Sequence, residues 1–119
     1  MSAEGYHLQQ TKLVNLKKQL EADPTNIEAA KRYWAALASF GGHDVRSCKF
    51  AIEAFRGCAL ASHAGVVALA RAFQELYDKS GEKPRSELFD KELLQALKGS
   101  LPDLSAEDQS LVRWVLTSI

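Results

Sequence analysis

Strand formers are scarce in this chain of 119 residues, which holds six Val, three Ile and three Thr. Against them stand 17 Ala and 16 Leu, a balance that favours helix over sheet. Cysteine is scarce too. Cys48 and Cys58 are the whole set, too few to staple a chain of this size through disulfides. Reduced thiols and a cytoplasmic location are the expectation. There is no surplus of either charge: 15 Lys and Arg face 15 Asp and Glu. A general polyanion binder needs an excess of cations to release counterions, so nucleic acid is an unfavoured partner. Long apolar runs are missing as well. The longest charge-free run, 57–70, has 14 residues and is broken by Ser62, His63 and two Gly. A membrane span needs about 20 apolar residues, so no membrane partner is expected. The start, Met1 to Tyr6, has no basic residues leading into an apolar stretch, so no secretory signal is expected.

Helical periodicity fills the space that these absences leave. Leu13, Leu16 and Leu20 recur at helical spacing in a first helix over 6–21, which Asp23-Pro24 stops because a residue before Pro avoids the helical region. Thr25-Asn26-Ile27-Glu28 fits a capping box for the second helix. That helix bears two apolar stripes, one through Ala30 and Trp34 and one through Tyr33 and Ala36, so it should have two packing neighbours. Gly41-Gly42 ends it, and Asp44 is placed to cap the third helix. Ser62 is the expected cap of the fourth, with Gly81 as its stop. A fifth helix is expected over 86–98 with Gly99 as terminator, and a sixth from Ser105. The spacing therefore predicts a single all-α domain over 1–119. It has about six short antiparallel helices, arranged as a compact helical bundle or as a short solenoid-like stack of hairpins.

The stretch Leu20 to Ala29, with its acidic-Pro turn, resembles the junction between tetratricopeptide repeats. Gly41 falls at that family's inter-helix Gly, and Ala51-Ile52-Glu53-Ala54-Phe55 is similar to the start of the repeat's second helix. Trp34 stands where the family has a small residue and Ala30 where it has a large aromatic. About five extra residues separate Gly41 from Ala51, and no second copy follows at the roughly 34-residue period of a true array. The resemblance covers 20–60. It implies stacked helical hairpins and, by analogy, a protein-binding surface.

Candidates for chemistry are the His, Cys, Ser and acidic residues. His43-x4-Cys48 and Cys58-x4-His63 form a symmetric set of zinc-ligand types. On one continuous helix, however, Cys48 and Cys58 lie about 15 Å apart along the axis, so they cannot share one ion, and no metal or cofactor is expected. His63, in Ala59-Leu60-Ala61-Ser62-His63-Ala64-Gly65, faintly resembles the active segment of histidine phosphotransfer domains. That resemblance implies a signalling role with His63 as phosphoacceptor, although Gly65 comes early and no Lys lies between His63 and Arg71. No G-x-S-x-G is present, and Ser62-His63 are chain neighbours, which is the wrong arrangement for a relay. Glu75 and Asp78 read as a solvated face. Lys31, Arg32, Tyr33 and Trp34, with Arg46, Lys49 and Arg56, are the residues that could grip phosphate and stack bases.

The expectation that follows is a non-enzymatic protein–protein interaction module, a small subunit, adaptor or regulator that binds another protein or itself. Trp and Arg are the usual anchors of such contacts, so Arg32, Trp34 and Trp114 are the expected contact residues. The sixth helix, with Leu111, Trp114, Val115, Leu116 and Ile119, must either dock fully or leave an apolar face for a partner.

Overall fold

Helix starts in this chain are set by short polar side chains, and a computed structural model shows which of them bond. The structure describes the backbone of residues 3–41 and 45–119, and the side-chain surroundings of 11–39 and 48–119. Six helices follow one another: α1 Ala3–Ala22, α2 Ile27–Gly41, α3 Val45–Ala61, α4 His63–Ser80, α5 Lys91–Ser100 and α6 Ala106–Ser118. Single 3-10 turns at Ser86–Leu88 and Leu101–Asp103 flank α5. The fold is all-α, and the described residues contain no strand.

Ser62, Asp90 and Ser105 cap α4, α5 and α6 by satisfying amides that a helix start leaves without intrahelical partners. Ser62 Oγ accepts from the Gly65 N–H at 3.0 Å, Asp90 Oδ1 from Leu93 at 2.8 Å and Ser105 Oγ from Asp108 at 3.2 Å. Gly81, at φ 74°, closes α4 by donating its N–H to the Tyr77 carbonyl. Two expectations are corrected. Asn26, not Thr25, caps α2: its Oδ1 accepts from the Ala29 N–H at 3.1 Å, while the Thr25 hydroxyl turns back to Asp23. The fifth helix begins at Lys91 rather than Ser86, because Asp90 caps there and Phe89 before it is extended. Gly99 consequently lies inside α5 and does not end it. Gly42 and Asp44, the expected stop of the second helix and cap of the third, lie outside the described residues, as does His43.

Each helix packs on its predecessor from α1 to α4, and then α5 covers α3 and α4 while α6 lies on α4. A single residue, Ser62, joins α3 to α4, so the two form a tight hairpin. Gly65 allows their close approach: a Cβ there would collide with the Cys58 carbonyl. Gly57 gives the same clearance to the first turn, since a Cβ on it would lie 2.5 Å from the Pro24 carbonyl oxygen. The core between these layers holds Phe55, Val66, Leu69, Phe73, Leu76 and Leu97 without solvent contact of note. The chain measures 48 × 31 × 24 Å, with a radius of gyration of 14.5 Å, against about 13.5 Å for a compact chain of this length. The packing order and these dimensions describe an all-α helical bundle in which α5 and α6 cover the α3–α4 hairpin.

Candidate functional site

A groove runs between α1 and α2. Leu13 and Leu16 on α1 face Ala35 and Ala36 on α2, and Lys12, Arg32 and Ser39 complete the wall around a volume of about 520 Å³. Arg32, Ala35, Ala36 and Ser39 share one side of α2 because they recur at three- and four-residue steps. The two alanines make that side shallow, so the groove stays open above a mostly apolar floor. Lys12 and Arg32 are exposed, and neither has an ion pair or hydrogen bond among the described residues. Two free cations beside an apolar floor suit an acidic, amphipathic ligand. Among the described residues this wall holds no His, Cys, Asp or Glu that would activate the Ser39 hydroxyl.

A second groove, about 740 Å³, lies between α4 and α6. Val112 and Val115 are buried against the core and dock α6 onto α4. Trp114 remains half-buried at the edge, where its ring meets Tyr77 at 5.5 Å between centroids and 64° between planes. Tyr77 is itself 40% exposed. Arg71 pairs with Asp108 at 3.6 Å and Lys79 with Glu75 at 3.1 Å. Asp78 and Glu107 also line the groove and have no ion pair or hydrogen bond among the described residues.

A third cluster joins helix ends. His63 Nδ1 lies 2.9 Å from Ser100 Oγ, and Nε2 lies 3.4 Å from an Asp103 carboxylate oxygen. The order Ser–His–Asp is that of a nucleophile relay, but Ser100 is only 4% exposed. It lines a cleft of about 490 Å³ with His63 and Gln95, but this burial leaves its hydroxyl little access to a substrate carbonyl. Nor does the cluster suit phosphotransfer. A phosphoryl group on Nε2 would face the Asp103 carboxylate, and no Lys or Arg pairs with either side chain among the described residues. With the proton on Nε2, the ring donates to Asp103 and accepts from Ser100. The trio thereby ties the start of α4 to the end of α5.

The anticipated contact residues are dispersed. Arg32 lines the first groove and Trp114 the second. Trp34 is placed differently from the expectation: at 6% exposure it belongs to the core, edge-on to Phe55, with its indole N–H donating to Glu75 at 3.3 Å. Tyr33 is buried too, so neither ring is available to stack bases. Arg56 is bonded to Asp90 at 2.7 Å, and Lys31 pairs with Glu28. Cys48 and Cys58 are buried on one continuous helix. Desolvation and the nearby Glu82 carboxylate push the Cys48 thiol up to about 11. No group of three or more metal-ligand side chains gathers among the described residues, and no helix there is long and apolar enough to cross a membrane.

Sequence reasoning did not pair Lys12 with Arg32 or Asp78 with Glu107. Helical spacing gives positions on one helix, and each of these pairs spans two. No family's sequence pattern matches the chain, and no match to it is found among curated proteins or solved structures.

Proposed function

We propose that this chain is a protein-interaction module whose α1–α2 groove receives an acidic, amphipathic segment of a partner. The carrying observation is the pairing of an apolar floor, Leu13, Leu16, Ala35 and Ala36, with two cations that have no counterion among the described residues. Burial of apolar side chains would supply the attraction. Lys12 and Arg32 would set orientation and encounter rate. The resemblance to tetratricopeptide repeats over 20–60 supports a protein-binding role by analogy.

Selection from a displayed library of amphipathic helical peptides tests the proposal. The immobilised protein should enrich sequences with carboxylates beside a Leu- or aromatic-rich stripe. A Lys12→Glu/Arg32→Glu variant should lose that enrichment. Equal recovery on both proteins, or none on either, counts against it.

A further inference from the structure

We infer that the segment received by the α1–α2 groove belongs to a second copy of this chain, namely the aromatic edge of its α4–α6 groove; this rests on the interaction-module reading and names its partner. Charge argues for it first. Among the described residues, the lining of the α1–α2 groove contains two cations and no acid. The lining of the α4–α6 groove contains four acids and two cations. Internal pairing there, Arg71 with Asp108 and Lys79 with Glu75, leaves Asp78 and Glu107 over. Two uncompensated carboxylates on one face thus match two uncompensated cations on the other. The same asymmetry runs through the sequence, where residues 1–60 carry eight basic and six acidic side chains and residues 61–119 carry seven and nine.

Shape argues for it second. The α4–α6 face presents the half-buried Trp114 and the exposed flank of Tyr77, beside the partly buried Leu111. The α1–α2 floor is built on Ala35 and Ala36, small residues that leave space for a large ring. Aromatic side chains seated in small-residue pockets are the usual anchors of protein contacts. The two grooves share no lining residue, and α1 packs on α2 while α6 packs on α4. One copy therefore does not fill its own groove.

The contacting patches differ, so the contact is heterologous and each pairing leaves one groove and one edge free. Mass should grow beyond the dimer as concentration rises. Sedimentation equilibrium or light scattering on the full chain reads this. Wild type is expected to rise from 13.1 kDa past twice that mass. The rise should weaken at about 1 M salt, where the Debye length falls to about 3 Å and the charge pairing is screened while the apolar burial is not. Lys12→Glu/Arg32→Glu removes the groove, and Asp78→Lys/Glu107→Lys removes the edge. Each variant alone should stay monomeric with an unchanged helical spectrum. An equimolar mixture of the two should associate again, because the native edge of the first variant matches the native groove of the second, and the reversed charges of the other two faces match as well. A monomeric wild type at all concentrations overturns the inference, as does either variant associating like wild type, or a mixture that fails to pair. None of these results removes a peptide selected on the α1–α2 groove, so failure of self-pairing stays distinct from failure of the interaction-module reading.

Discussion

Three glycines divide by what their missing side chain permits. Gly65 sits where α4 crosses the Cys58 carbonyl, and Gly57 sits under the Pro24 carbonyl. A methyl group at Gly65 meets backbone, which cannot swing aside as a side chain can. Gly65→Ala is therefore expected to lower stability by at least about 2 kcal/mol, in the range of overpacked cores, measured by urea denaturation. Gly99 lies inside α5, and a methyl group added to it would meet nothing within 4 Å. Gly99→Ala should raise stability by about 0.5–1 kcal/mol through lower chain entropy and better helix propensity. Buried ionisable groups give a second expectation. Burial first, then Glu82, raises the Cys48 thiol from 9.0 to about 11, and burial first, then Glu53, raises the Tyr33 phenol from 10.0 to about 12. In the folded chain both keep protons that the unfolded chain has already released. Their stabilising contribution is complete below about pH 9 and is lost as pH rises through 11 and then 12. Denaturation midpoints measured across that window should fall steadily, and Tyr33→Phe should flatten the upper part of the fall.

At the level of elements, caps decide where helices begin. Thr25 and Asn26 are both good capping residues, and the capping-box pattern points to Thr25. The structure selects Asn26, because the Asp23-Pro24 turn holds Thr25 against Asp23 and leaves the Asn26 oxygen facing the Ala29 amide. Asn26→Ala should cost about 1 kcal/mol, as lost caps do, and Thr25→Ala less than half of that, both read from thermal unfolding. Asp90 illustrates a signal visible only in three dimensions. Its carboxyl lies below the usual range because the Leu93 amide, first, and the Arg56 guanidinium bond it. Arg56 comes from α3, 34 residues away, so the choice of Asp90 over Ser86 as a helix start is partly tertiary. Ser62 and Ser105, which need only their own helix, were legible from the sequence.

Across the whole molecule, burial is uneven along the bundle. The hairpin of α3 and α4 is covered on both sides, by α2 and by α5 and α6. Helix α1 lies at one end and packs chiefly on α2, with Leu20 as its buried residue among those described. The Lys17–Glu53 pair at 3.3 Å is a second tie, but half-exposed pairs of this kind add little. Amide hydrogen exchange should therefore be slowest in α3 and α4 and fastest in α1, whose opening needs less than global unfolding. A uniform rate across all six helices would show that the bundle unfolds as one unit. The same end position leaves one side of α1 and α2 without a packing partner among the described residues, which is where the groove forms.

The helical class, the approximate number of helices and most of the apolar stripes were settled by composition and spacing, because a helix places residues three and four apart on one side whatever surrounds it. Capping chemistry, equally local, pointed to Ser62, Gly81 and Ser105 as helix boundaries. The spacing rule assigned Trp34 and Trp114 alike as contact residues, since both are aromatics on apolar stripes. Tertiary packing separated them: α2 lies between α1 and α3 and buries Trp34, whereas α6 packs chiefly on α4 and leaves Trp114 at an edge. Packing likewise decided which charges are neutralised within the molecule and which stay uncompensated, because ion pairing depends on distances between helices that are remote in sequence.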